Sequence, residues 1–252
     1  MTRPIRRTAR CAAAFVALAG VLAGCAGGPS PAPVPERSAA AAPGPTVDPA
    51  VYVAVGASET VGVGAADPRR DAWPQVLHDR ALPDSRLVNV GVSGATVRGA
   101  LDAQLPRALA AEPDVVTVWL VVNDIVAAVP VAAYERALQR LVHRLRRGGQ
   151  TEVLVGNVPD LWRLPAYRAC LPGAGVTEVP CLLPFVPSEA EVRETVRDFN
   201  AAVRRVVRAE GARLVDLSAE DDLTGLTGTD GFHPSTEGHQ EIAQAYARVL
   251  RH

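Results

Sequence analysis

The sequence predicts an α/β domain in which helices cover both faces of a parallel five-stranded sheet, a three-layer α/β/α sandwich. Two observations predict it. Five short apolar runs are almost continuously β-branched rather than alternating, as strands buried on both faces are. Longer segments of helical period separate them, and such a βαβαβ alternation implies a doubly wound fold. Residues 49–252 are of a length that suits one domain with a single core.

In order, the strands are read at Val51–Gly56, Arg86–Val92, Asp114–Val122, Glu152–Asn157 and Ala212–Leu217. Helices are read at Pro68–Leu82, Val97–Ala110, Val131–Arg147, Ser188–Glu210 and Thr236–Leu250. The third shows the pattern well. Ala133, Ala137, Leu138, Leu141, Val142 and Leu145 recur on one side, Glu135, Arg136, Gln139, Arg140 and Arg144 lie on the other, and Gly148 and Gly149 stop it.

Two segments precede the domain. Residues 1–24 carry Arg3, Arg6, Arg7 and Arg10 ahead of an apolar run from Cys11 to Gly24, the pattern of a bacterial export signal. Leu22, Ala23, Gly24 and Cys25 then resemble a lipobox, in which Cys25 is lipidated and becomes the first residue of the mature chain. Each buried CH₂ of such acyl chains contributes about 0.8 kcal/mol, and two or more chains anchor stably. Residues 25–48 hold that cysteine and a Pro/Ala-rich stretch too poor in large apolar side chains to fold. This tether reaches at most roughly 70 Å in polyproline II form. The expected protein is therefore a monomer held at the outer face of the bacterial cell membrane by its N-terminal lipid.

Charge narrows the partners. All 26 basic residues are Arg, and from residue 25 onward 22 of them face 27 acids, a net of −5. A nucleic-acid binder needs a basic face, so that class is set aside. Cys11 leaves with the signal and Cys25 takes the lipid, which leaves Cys170 and Cys181. No companion His or Cys cluster suggests a metal, and outside the cytoplasm the pair is expected to form a disulfide worth about 3 kcal/mol.

Ligands of open parallel sheets bind beyond the carboxyl ends of the strands. Gly56, Ala57 and Ser58 follow the first strand, Ser93, Gly94 and Ala95 the second, and Asn123 and Asp124 the third, while Asp230, Gly231, Phe232, His233 and Pro234 come after the fifth. A Ser hydroxyl becomes a nucleophile when a base takes its proton. His233 is suited to that task, with Asp230 three residues earlier to fix the ring. The Ser58 N–H, the Gly94 N–H and the Asn123 amide would stabilise the oxyanion, each donor being worth about 2.7–4 kcal/mol of barrier. GxSxG and GxGxxG are absent, which argues against an α/β-hydrolase elbow and a dinucleotide loop. His78, His143 and His239 lie within helical segments and are read as surface or packing residues.

These four blocks, in this order, resemble the SGNH hydrolase superfamily, also called the GDSL esterase/lipase family. Its Ser, Gly, Asn and His match Ser58, Gly94, Asn123 and His233, with Asp230 as the triad Asp, and Trp73 and Pro74 resemble its thioesterase-like members. The resemblance implies a flavodoxin-like fold. It also implies hydrolysis of carboxylic esters or thioesters through an acyl-serine intermediate, with no metal or cofactor. Two positions depart from the pattern: Ala57 stands where the family usually has Asp, and Val121 where it has Gly. The expected substrate is a small ester, a lipid or an acylated glycan. Removal or transfer of acetyl groups on envelope glycans is one alternative, and a catalytically weak lipoprotein that binds acylated ligands, motivated by Ala57, is another. The long segment 158–187, carrying Leu161, Trp162, Leu164, Tyr167, Leu182, Leu183 and Phe185, is expected to overhang the rim as part of an acyl-binding wall.

Overall fold

β1 (Val51–Gly56) lies inside the sheet, flanked by a strand on each side, and turns straight into α1 (Ser58–Val61), a single turn of helix. The chain continues through α2 (Pro68–Asp71) and α3 (Trp73–Ala81) to β2 (Arg86–Asn89), then α4 (Val97–Ala103) and α5 (Leu105–Ala110) to β3 (Val115–Trp119). Next come α6 (Val122–Val126), α7 (Val131–Arg146), β4 (Glu152–Gly156), α8 (Pro165–Arg168), α9 (Glu189–Glu210), β5 (Arg213–Val215) and α10 (Thr236–Leu250). The computed structural model describes residues 50–174, 179, 181, 186–220 and 223–251. The export signal, Cys25, the tether, Leu182, Leu183 and Phe185 lie outside these residues.

The five strands pair in parallel in the order β2-β1-β3-β4-β5. This is the flavodoxin-like order, whose direction of winding reverses at β1/β3 and opens a crevice there. α3 and α10 pack on each other, as do α4, α7 and α9 in succession, which gives the outer layers their continuity. Trp73 of α3 stacks on Tyr246 of α10 with ring centroids 4.5 Å apart and meets Trp119 of β3 edge-on at 6.4 Å. On the α7 and α9 side, Tyr134 packs on Phe199 at 4.8 Å. Burial of each such large side chain contributes about 1.5–3 kcal/mol. α9 begins on a capping box: Ser188 accepts from the Glu191 N–H while the Glu191 carboxylate takes the Ser188 N–H.

Several boundaries differ from the sequence expectation. β2 ends at Asn89 rather than at position 92, because the Asn89 side chain donates to the Thr60 carbonyl and accepts from the Gly91 N–H, which bends the chain off the sheet. β3 ends at Trp119, Leu120 and Val121 lead into α6, which takes Val122, and β5 is only three residues long. The helical span 68–82 divides at Ala72, just before Pro74, and the span 97–110 divides at Gln104, just before Pro106.

Candidate active site

The end of β1 is held from the side by Gln104. This fully buried amide accepts from the Gly56 N–H at 3.0 Å and donates to the Gly56 carbonyl at 2.9 Å. Its position on the apolar stripe Val97, Ala100, Gln104, Ala108 is the one sequence signal that marks it. Past Gly56 the chain turns through Ala57, which offers no side-chain cap. The turn is closed by backbone alone, with the N–H groups of Thr60 and Val61 both donating to the Ala57 carbonyl at 3.1 Å. Ser58 therefore sits at the first position of α1, on the carboxyl edge of the sheet.

His233 is brought to Ser58 from 175 residues away. The Ser58 Oγ–H donates to His233 Nε2 at 3.1 Å, and His233 Nδ1–H donates to Asp230 Oδ2 at 2.5 Å. Asp230 Oδ1 also accepts the N–H groups of Phe232 (2.9 Å) and His233 (3.0 Å). Burial alone would raise the Asp230 carboxyl, but these bonds together with the neighbouring ring hold it below the usual range. The loop is pinned at both sides: the His233 carbonyl accepts from Gly228 N–H at 2.8 Å, and Ser235 caps α10. Gly64 makes the approach possible. Its φ is +93°, and a Cβ there would lie 2.2 Å from the Pro234 carbonyl oxygen. Behind it, the fully buried His239 donates from Nε2 to the Val63 carbonyl at 3.1 Å and accepts the Trp73 N–H at 3.3 Å on Nδ1. His239 is thus a packing residue; His78 caps the Ser85 carbonyl, and the exposed His143 pairs with Glu210.

The Gly94 and Asn123 loops are tied to each other. One N–H of the Asn123 amide donates to the Ala95 carbonyl at 3.1 Å, which leaves the second for a ligand, and the buried Asp124 carboxylate accepts the Val97 N–H at 3.0 Å. Gly94 has a φ of +76° and stands exposed at the tip of its turn. Asn123 and Ala57 line one small cavity with Glu59 and Val121, which places the amide beside the Ser58 turn. Val121 fills the position expected to be Gly and is buried there.

A second cavity, of about 30 Å³, is lined by Glu59, which follows Ser58, and by Trp119, Val122, Leu161, Leu164 and Phe232 among others. Leu161 and Leu164 come from the 158–187 segment, whose α8 is stitched to the His233 loop by the Ala166 N–H donating to the Gly231 carbonyl at 3.0 Å. Trp162 stacks under the Arg193 guanidinium at 4.2 Å, and Tyr167 donates to the Pro187 carbonyl. Cys170 and Cys181 are joined by a disulfide. Glu59 is the residue that spacing does not single out. It is 7% exposed, and its Oε2 lies 3.4 Å from Ser58 Oγ. Burial pushes its carboxyl above the usual range, against its own backbone N–H, the His233 ring and the Ser58 hydroxyl. Among the described residues, no group of three or more His, Cys, Asp or Glu is arranged to hold a metal ion, and no helix is long and apolar enough to cross a membrane.

Residues 54–241 match the model of the GDSL-like lipase/acylhydrolase family. Solved structures share the fold. The crystal structure of TesA is 23% identical, with 80% of this chain and 98% of that one covered and a TM-score of 0.60. The psychrotrophic esterase EstA from Pseudoalteromonas sp., inhibited by monoethylphosphonate, is 18% identical, with 80% and 96% covered and a TM-score of 0.58. Phospholipase A1 from Streptomyces albidoflavus is 19% identical, with 81% and 98% covered and a TM-score of 0.57. No curated protein matches.

Proposed function

The chain belongs to the GDSL-like lipase/acylhydrolase family and is a carboxylic ester hydrolase of the SGNH type, and on that footing we propose that Ser58, His233 and Asp230 form its catalytic triad and that it works at the cell envelope. The observation that carries the assignment is the unbroken chain from Ser58 Oγ to His233 Nε2 and from His233 Nδ1 to Asp230, at 3.1 and 2.5 Å.

In the first half-reaction Ser58 Oγ attacks the ester carbonyl carbon while its proton passes to His233 Nε2. Asp230 holds the ring in the tautomer that leaves Nε2 free to accept and stabilises the imidazolium that results. The oxyanion is met by the Ser58 N–H, the Gly94 N–H and the unused N–H of Asn123. As the tetrahedral species collapses, the C–O bond to the alcohol breaks and His233 returns the proton to the departing oxygen. In the second half, water attacks the acyl carbon, His233 takes the water proton, and Ser58 Oγ leaves and recovers it. The sum is ester plus water giving acid plus alcohol. A thioester follows the same course with a thiol as leaving group.

Three exposed valines support an apolar element in the substrate. Val61 and Val126 end α1 and α6, the helices that carry Ser58 and Asn123, and Val92 lies two residues before Gly94. The EstA and phospholipase A1 structures, both of esterolytic proteins, agree with ester chemistry on this scaffold. We further propose that Cys25 carries the lipid and residues 25–48 the tether, so that the domain acts beside the membrane on small esters, lipids or acylated glycans. The test is hydrolysis of p-nitrophenyl esters of graded chain length by the soluble domain. Turnover that disappears in Ser58→Ala is expected, and equal rates in the two proteins would refute the assignment. For the anchor, a Cys25→Ala chain expressed in a bacterial host should leave the membrane fraction; retention there would refute lipidation.

A further inference from the structure

Glu59 puts a buried carboxyl group 3.4 Å from the nucleophile oxygen of Ser58. It is nine-tenths buried, next to Ser58 on the first turn of α1, and lines both cavities. Among the described residues its side-chain hydrogen-bond partner is the Ser58 hydroxyl at 3.4 Å, longer than a good O–H···O bond, and no Arg side chain pairs with it. The four letters that name the family spell Gly-Asp-Ser-Leu, whereas this chain reads Gly56, Ala57, Ser58, Glu59. An apolar side chain would fill this position at no electrostatic expense. A buried carboxyl without a matched partner is unfavourable by several kcal/mol unless a cation or strong donor reaches it.

The substrate can supply that group. In the acyl-serine, the acyl carbon is bonded to Ser58 Oγ and the α-carbon follows it. Bonds near 1.5 Å therefore put an α-substituent on the order of 3 Å from Oγ. Glu59 Oε2, 3.4 Å from the same oxygen, is within reach of a donor there. The cavity volume sets the size of what surrounds it: about 30 Å³, room for roughly two water-sized groups, walled by Trp119, Val122, Leu161, Leu164 and Phe232. An ammonium and a methyl on one α-carbon fill such a space, one against the carboxyl and one against the apolar wall. An ammonium would also draw Glu59 into its ionised form, against the effect of burial.

We propose that Glu59 makes this hydrolase selective for esters of small α-amino acids, pairing the substrate's α-ammonium with its carboxylate. The proposal rests on the reading of Ser58 as nucleophile. Its test compares L-alanine methyl ester with methyl isobutyrate, in which a methyl replaces the ammonium at nearly the same size. Acid release is measured at about pH 7, where most of the amine is protonated. The ratio of kcat/KM for the two esters is taken in the wild type, Glu59→Gln and Glu59→Leu, with p-nitrophenyl acetate as reference for all three. The wild-type ratio should exceed that of Glu59→Leu by about tenfold or more, the discrimination of one charge-assisted hydrogen bond, with most of it already lost in Glu59→Gln. An unchanged ratio in either variant that still cleaves p-nitrophenyl acetate overturns the proposal and leaves the esterase reading standing. Wild-type cleavage of p-nitrophenyl acetate without preference for the alanine ester does the same. Absence of p-nitrophenyl acetate cleavage by the wild type overturns the nucleophile reading and this proposal together.

Discussion

Replacing Gln104 with Leu removes the two hydrogen bonds that hold the last residue of β1 in front of the nucleophile turn. The Gly56 N–H loses its 3.0 Å acceptor inside the core, whereas the Gly56 carbonyl keeps the Val92 N–H at 3.1 Å. Orphaning the N–H costs about 1–3 kcal/mol, and losing the second bond a further ~0.5–1.5 kcal/mol. The apolar leucine recovers part of this, so the net destabilisation is about 1–3 kcal/mol. Urea unfolding followed by tryptophan fluorescence should show it as a lower midpoint at unchanged slope. Because Ser58 follows two residues later, p-nitrophenyl acetate hydrolysis should also fall, by roughly tenfold or more, since small misplacements of reacting groups are costly. A destabilisation below about 1 kcal/mol with full activity would refute the reasoning that Gln104 supports this turn.

Gly64→Ala should destabilise by about 2–4 kcal/mol and lower kcat more than it raises KM, because the added Cβ would lie 2.2 Å from the Pro234 oxygen and displace the His233 loop; steady-state kinetics and thermal melts check both. Asp230→Asn should lower kcat roughly 10³–10⁴-fold with the fold intact, since the amide no longer fixes the His233 tautomer; circular dichroism beside kinetics separates the two. Burial holds His239 below its ordinary value, against its bond to the Val63 carbonyl. The unfolded chain therefore takes up a proton below about pH 6.5 before the folded one does, and the stability this residue confers is full above that pH and lost as pH falls toward its folded value. Urea midpoints between pH 7.5 and 5 should fall less in His239→Gln than in the wild type, which checks the sign. Reduction of Cys170–Cys181, which closes a loop with a sequence separation of 11 residues, should lower stability by about 3 kcal/mol, read as a lower Tm with reductant than without.

Much of this architecture is legible in the sequence because buried parallel strands and amphipathic helices leave strong periodic marks. The Val115–Trp119 run and the α7 stripe are examples. The boundaries that shift do so for local reasons. Val121 and Val122 read as strand because the passage from β3 into the start of α6 is buried like β3 itself, and an apolar run does not distinguish the two. β2 stops early because of one side chain, Asn89, which reaches to a carbonyl 29 residues away. The candidate site is legible as Ser58, Gly94, Asn123, Asp230 and His233 because each follows a strand's carboxyl end. The support around it is not. Gln104 looks like any polar residue of a surface helix until the stripe it interrupts is noticed, and Glu59 looks solvated in a sequence that reads Ser-Glu-Thr. Only the fold, which places Glu59 in the lining of one cavity with Trp119, Val122 and Leu161, makes it a buried carboxyl beside the nucleophile.

The most direct test of the catalytic assignment is covalent. The soluble domain, treated with a fluorophosphonate and digested, should yield one adduct per molecule on the peptide containing Ser58, with ester hydrolysis lost in step with labelling, and Ser58→Ala should neither label nor turn over. An adduct on another residue, or hydrolysis surviving in Ser58→Ala, would contradict the account.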